Sequence, residues 1–398
     1  MKNTLYIFFL LCSTLLSAQS VKFISIDELE TYQDLLAIAR QKDQMIFIAL
    51  YQEGDVFQDM YRGDVFEKPE VKSYWNKIIP VATDIRSEMG AAFANQFLID
   101  SLPLFMVLNM HEFVVARKSG SMNASAMANF LNQASTNKNL YDSLSAKYVK
   151  HTLTNSEWQN LIQLHSFNFP FEETMSLALE YMATLDDNSL SDAGNLKILT
   201  TYGIDMETPY PNKVFKNLSA IISKNKKFKT LDFYEIVYSY NMDLAINSKD
   251  TLLLEKILTE LIPKHPDSTV NKNELKLSSA RLFAEETNIF QPYTNTILSE
   301  AEKVEGDSAK AEYLFDEAYF IADTYNEEAP LKAGLQIIEK SISIRETYKY
   351  RMLESYLYYL LKNKTNATSS VAKAKELSSD AVDIKRAESL EKLIARLK

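Results

Sequence analysis

Cysteine is nearly missing from this sequence: its 398 residues hold one, Cys12, inside an apolar leader. The attacking species in thiol–disulfide exchange is a thiolate. With the leader removed no sulfur nucleophile is left, so dithiol redox chemistry by the mature chain is excluded. Glycine and proline are also sparse, at 8 and 10 residues. Strands need turns and turns favour those two residues, so most of the chain is expected to be helical. A basic face is lacking too. The net charge is −10 with no long run of one sign, and a nucleic-acid partner would need cations to neutralise phosphates. The four histidines, His111, His151, His165 and His265, are scattered and show no zinc spacing. There is no phosphate loop, dinucleotide fingerprint or serine elbow. No cofactor, no metal and no enzymatic activity are therefore expected.

What is present is apolar and aromatic. A hydrophobic content of 46% with 11% aromatics is enough for packed cores and argues against disorder. The length suits two domains or three. Residues 1–20 read as a secretion signal, with Lys2 at the charged start, an apolar stretch over 5–16 and Ser17-Ala18-Gln19-Ser20 as small residues for cleavage. That stretch is too short to span a bilayer comfortably, and no other segment approaches a spanning length. Leu11 before Cys12 is not the small residue a lipoprotein signal carries, so no lipid anchor is expected. The leader looks bacterial, which places the mature chain in the periplasm or outside the cell.

Strand and helix patterns alternate over 21–136. A short strand is expected at 21–25. A helix follows from Asp27, its N-cap, with Leu29, Tyr32, Leu35, Leu36 and Ala39 at helical spacing. Residues 45–51 form a continuous apolar run, the mark of a strand buried on both faces. Residues 69–76 suggest a helix with Pro69 in its first turn. A strand at 78–83, a helix at 90–97, a hairpin of 104–109 with 113–116, and a closing helix at 123–133 complete the series.

That ordered set resembles the thioredoxin fold in its extracytoplasmic branch. The run 45–54 (MIFIALYQEG) resembles the strand leading into the family's redox motif. Val65-Phe66, Lys68-Pro69-Glu70-Val71 and Ile79-Pro80-Val81-Ala82-Thr83-Asp84 resemble the helix and strand that follow. Ser101-Leu102-Pro103-Leu104-Phe105 resembles the loop with the family's cis-proline, and Gly120 stands at its usual glycine. The resemblance places the CxxC motif on Asp55-Val56-Phe57-Gln58, so Asp55 and Gln58 stand where two sulfurs would be. Gly54 replaces the preceding tryptophan, and Ala49 aligns with the buried acid that handles protons. Loss of the whole apparatus implies a domain kept for its shape. The resemblance also implies a peptide groove, because the backbone before a cis-proline pairs with an extended strand without needing sulfur. Asp55, Phe57, Leu102 and Pro103 are its candidates; alternatively, Pro103 sets a tight turn and Phe57 packs into the core. Glu53, Asp55, Asp59 and Asp64 are carboxylates around one helix start, where the dipole favours them, and they lack the register of a calcium loop.

From 137 to 398 the sequence reads as helix after helix, at 156–164, 172–185, 195–202, 214–223, 231–246, 251–261, 274–287, 294–305, 310–325, 331–344, 348–362, 369–377 and 383–397. Within 330–380, Ala333, Leu335, Ile338 and Ile342, then Tyr356, Tyr359 and Leu360, then Ala372, Ala374 and Leu377 have a spacing that weakly resembles tetratricopeptide repeats. Small alanines let helices approach closely, as repeat arrays require; a helical bundle fits the pattern as well. The 22 tyrosines, Tyr356, Tyr358 and Tyr359 among them, either line a groove or pack amphipathic helices. The expected architecture is thus an α/β thioredoxin-like domain followed by an all-α region, a layout that resembles exported proteins of the Bacteroidetes type. The expected function is non-catalytic binding or scaffolding of polypeptides in the cell envelope. The alternative is a redox-inactive accessory that presents substrates to a separate thiol–disulfide oxidoreductase.

Overall fold

The computed structural model describes residues 23–25, 32–52, 63–97, 99, 101–186 and 189–397. The chain divides into two compact units between Leu185 and Asp186. The leader at 1–20, with Cys12, lies outside the described residues.

The first unit is built on a five-stranded mixed sheet with strand order β1-β3-β2-β4-β5. The strands are β1 (Ile24–Ser25), β2 (Met45–Tyr51), β3 (Ile78–Asp84), β4 (Leu104–Leu108) and β5 (Val114–Ser119). β1, β2 and β3 run parallel, whereas β4 is antiparallel to β2 and β5 antiparallel to β4. Helices α1 (Tyr32–Lys42), α2 (Pro69–Lys72), α3 (Glu88–Gln96) and α4 (Ala124–Asn137) cover it. Side chains alternate along a strand, and both faces of this sheet are buried. Met45, Phe47, Ala49, Phe105 and Val107 pack with Val71 of α2 and with Met127, Phe130 and Leu131 of α4. Ile46, Ile48, Leu50, Leu104 and Met106 pack with Leu35, Leu36 and Ala39 of α1 and Phe93 of α3. Two-sided burial is why β2 and β4 read as unbroken apolar runs.

Local chemistry fixes the ends of these elements. Ser87 caps α3, its Oγ accepting from Gly90 N at 3.0 Å, and Asn123 Oδ1 accepts from Ala126 N at 2.9 Å at the start of α4. Asn109 Oδ1 accepts from His111 N and Phe113 N, both at 3.0 Å, and so folds the β4–β5 turn. A Cβ on Gly90 would lie 2.0 Å from the Asp84 carbonyl oxygen at the end of β3. Gly90→Ala is therefore expected to destabilise the first unit by about 2 kcal/mol, a clash that outweighs alanine's helical preference; urea unfolding followed by tryptophan fluorescence measures it.

Three further helices complete this unit: α5 (Leu140–Val149), α6 (Asn155–Ser166) and α7 (Phe171–Ala183). The sequence reading opened the helical region at 137 and did not anticipate α5, whose only buried side chain is Leu144. Asn168 ties the group to the sheet: its Oδ1 accepts from Val114 N at 2.7 Å and its Nδ2 donates to Val114 O at 3.0 Å. The amide thereby satisfies backbone groups at the start of the edge strand β5.

The second unit is helical. It comprises α8 (Ala193–Tyr202), α9 (Tyr210–Lys216), α10 (Leu218–Lys224), α11 (Thr230–Ser248) and α12 (Thr251–Lys256), which runs on through a π turn at Ile257–Leu261. Then come α13 (Lys272–Thr287), α14 (Gln291–Ala301), α15 (Asp307–Thr324), α16 (Glu328–Ile344), α17 (Tyr348–Leu360), α18 (Lys364–Glu376) and α19 (Ala381–Ala395). The expected helix at 214–223 is two short ones that meet at Asn217. From α11 onward the helices form hairpins, α11/α12, α13/α14, α15/α16 and α17/α18, each packed on the next and closed by α19. This neighbour-to-neighbour packing is that of a stacked helical array.

The hairpins turn without glycine. Lys249, Asn288 and Lys362 take left-handed conformations at φ 56°, 60° and 57° after α11, α13 and α17. Asp250 and Asn363 follow two of them and cap the next helix through their side chains. Where helices approach closely the residues are small. Ser341 Oγ donates to Ala311 O at 2.7 Å and Ser355 Oγ to Ala367 O at 2.8 Å. A Cβ on Gly334 would lie 3.1 Å from Ile321 Cγ2 and 3.3 Å from Leu357 Cδ2. One detail of the sequence reading is corrected here. Ala372 and Leu377 are exposed, and α18 packs instead through Ala367, Ser370, Val371 and Ala374, which share one face at three- and four-residue spacing.

Candidate functional site

In a sheet of parallel strands, ligands gather outside the carboxyl ends, and here those ends are Tyr51 of β2 and Asp84 of β3. Pro103 precedes β4 beside them, its peptide bond to Leu102 is cis, and it is buried. Its carbonyl accepts from Gly120 N at 2.9 Å. The Leu102 side chain packs against the core on the α1 side. Asp84 is held by Arg86 through a fork, with Nη2 donating to Oδ2 at 2.7 Å and Nε to Oδ1 at 3.1 Å. Ala49 is fully buried in an apolar cluster with Phe47, Phe66 and Phe105. Asp55 and Phe57, like the rest of Asp55-Val56-Phe57-Gln58, lie outside the described residues, as do Glu53 and Asp59. The structure thus brings Leu102 and Pro103 together and places neither of them relative to Asp55 or Phe57.

The second candidate was not found from the sequence as a set. On the first helices of successive hairpins, apolar side chains stay exposed. They are Leu231 and Ile236 on α11, Leu282 on α13, Tyr319 and Phe320 on α15, and Tyr356 on α17. Ile236 is 48% and Tyr319 55% exposed, although each helix buries a separate apolar face. The signal available in the sequence was an apolar residue outside the periodic buried positions, and only Tyr356 was singled out.

On α15 the two exposed rings are braced. Arg281 of α13 sits over the Phe320 ring, 5.4 Å from its centroid. Tyr325 meets the same ring edge-on at 6.4 Å, and its hydroxyl donates to Glu285. Phe315 lies 6.1 Å from Tyr319 on one side and 5.2 Å from Tyr350 of α17 on the other. Lys349 covers Phe315 at 4.6 Å. Beneath them Tyr293 Oη donates to Glu317 Oε2 at 3.5 Å. Burial raises the Glu317 carboxyl above its ordinary range, against the opposing pull of the Tyr293 hydroxyl and Arg281. The outcome is a set of packed aromatic rings with cations across two of them, Phe320 and Phe315.

Among the described residues no group of three or more histidine, cysteine, aspartate or glutamate side chains is arranged to hold a metal ion. Among the same residues no helix is long and apolar enough to cross a membrane. No protein-family model matches the chain, and no curated protein sequence is similar to it.

Proposed function

We propose that this chain is an exported, non-catalytic binding or scaffold protein of the cell envelope, acting in the periplasm or outside the cell. In this reading the first unit is a thioredoxin-like domain kept for its shape, and the second is a tetratricopeptide-like array that holds polypeptide partners. Support for the first half comes from the strand order β1-β3-β2-β4-β5 in which β4 alone runs against the other four strands. This order and these directions resemble those of the thioredoxin fold, and the cis bond before Pro103 supports the likeness. The observation that carries the second half is the series of exposed apolar side chains on α11, α13, α15 and α17, with Tyr319 and Phe320 of α15 held by neighbouring rings and Arg281. Large apolar groups left exposed on successive helices offer area to a partner.

The redox half is tested with insulin. The purified mature chain is expected to precipitate insulin in the presence of dithiothreitol no faster than buffer alone. Added to a separate dithiol enzyme, it is expected to leave that enzyme's rate unchanged; acceleration would favour an accessory role instead.

A further inference from the structure

A groove of about 410 Å³ lies among α5, α6 and α7 in the first unit. Each helix gives it one face. Tyr141, Ser145 and Tyr148 come from α5, Leu161 and His165 from α6, and Glu173, Ser176, Leu177 and Glu180 from α7. Tyrosines and glutamates both recur at seven-residue spacing, two helical turns or roughly 10 Å along the axis. Tyr148 Oη donates to Glu180 Oε2 at 2.7 Å and so marks one end. At the other end Phe169 stacks on His165 at 4.1 Å and lies 6.4 Å from Tyr141, with Glu173 acting on His165 through its charge. Each end therefore combines an aromatic ring with a carboxylate.

The hydrogen-bonding capacity of the groove is one-sided. Ser176 Oγ has given its proton to Glu172 O at 3.0 Å, and Tyr148 has given its own to Glu180. Thr174 Oγ1 donates to Pro170 O at 3.2 Å and lies 3.0 Å from His165 Nδ1. The one hydroxyl proton serves either contact, so the pair Thr174–His165 is satisfied within the groove wall. Burial holds His165 below the ordinary imidazole value, with Glu173 opposing, so the ring is neutral near pH 7. Lys147, the residue before Tyr148, is engaged by Glu157. Neither Lys nor Arg is among the groove-lining residues. The lining offers two carboxylates as acceptors between aromatic faces, and its Tyr141 and Ser145 hydroxyls can accept as well as donate.

We propose that this groove binds an extended cation bearing two ammonium or guanidinium groups roughly 10 Å apart, one at each tyrosine–glutamate end. Ammonium and guanidinium groups donate several hydrogen bonds and accept none, which complements a lining rich in acceptors. A single metal ion does not fit, because its ligand oxygens must converge within a few ångströms. The same chemistry is carried by a free polyamine or by two basic side chains of a polypeptide segment.

The test is calorimetric titration of the full mature chain at low salt with two probes. One is spermidine; the other is the blocked peptide Lys-Ala-Ala-Lys, whose lysines fall on one side and roughly 10 Å apart in the polyproline II conformation, with three residues per turn. At least one probe is expected to bind the wild type about tenfold more tightly than the double variant Glu173→Gln/Glu180→Gln, and to weaken as salt rises. Both glutamates are exposed, and an unchanged circular dichroism melt shows that the variant folds. Binding of spermidine alone identifies a free polyamine, and binding of the peptide identifies a basic segment; either supports the site. Equal affinity for wild type and double variant overturns it, as does a peptide that binds as tightly in its Nε-acetylated form; so does the absence of binding by both probes. The probes do not report on the array of the second unit, so failure here is distinguishable from failure of the scaffold reading.

Discussion

Replacing Phe47 by alanine is expected to lower the stability of the first unit by about 4 kcal/mol. Phe47 is fully buried at the centre of β2. Its ring lies 5.3 Å from Trp75, 5.9 Å from Phe66, 5.9 Å from Phe105 and 6.5 Å from Phe130. The strand backbone is fixed by ladders to β3 and β4 on both sides, so the site cannot collapse to fill the space. The loss combines the transfer free energy of the ring with the cavity it leaves. Both tryptophans of the chain, Trp75 and Trp158, fall in the first unit, so fluorescence during urea unfolding follows it. At an m-value of about 2 kcal/mol per molar, the midpoint is expected to fall by about 2 M.

The second large effect is expected at Asn241 of α11, a fully buried polar side chain in the helical unit. Its Nδ2 donates to Ile204 O at 2.8 Å and Val237 O at 2.7 Å, and its Oδ1 accepts from Met206 N at 2.9 Å. One amide thereby satisfies the backbone of the segment between α8 and α9. Leucine has a similar volume and cannot hydrogen-bond. Asn241→Leu leaves the buried Ile204 carbonyl and the half-buried Met206 amide without this partner, at a cost of about 3 kcal/mol. Ellipticity at 222 nm is expected to show a helical transition at lower urea. An unchanged midpoint would mean that the segment at 204–206 finds other partners.

Much of this architecture was legible because a few signals were strong. The apolar run at 45–51 announced a strand buried on both faces, the hairpin expected at 104–109 with 113–116 is β4 with β5, and β2 pairs with β4 inside the sheet. Ser87, Asn123, Thr154 and Asp250 each cap a helix through the side chain, a signal that the expected starts at 90 and 156 missed by a few residues. What stayed hidden depends on long-range partners. Asn168 reads as an ordinary loop residue until its amide meets Val114, 54 positions away. The exposed rings of Tyr319 and Phe320 look like one more amphipathic face until the buried face, through Ala311, Leu314, Ala318 and Ile321, is known. His165 had no partner at metal spacing in the sequence; its neighbours Tyr141 and Glu173 come from separate helices. The cis bond at Pro103 stood where the family resemblance placed it, whereas the side chain of Leu102 turns to the core.

The claim on which the rest depends is that the helical array holds polypeptides through exposed rings, without thiol chemistry. Its most direct test is quantitative capture from envelope extract by the immobilised mature chain, compared with a Tyr319→Ala/Phe320→Ala/Tyr356→Ala variant. These three side chains are exposed, so the variant should fold. A defined set of polypeptides is expected on the wild type, at least about tenfold depleted on the variant, and unaffected when thiols in the extract are alkylated first. Equal recovery on both chains, or recovery that vanishes on alkylation, would contradict the account.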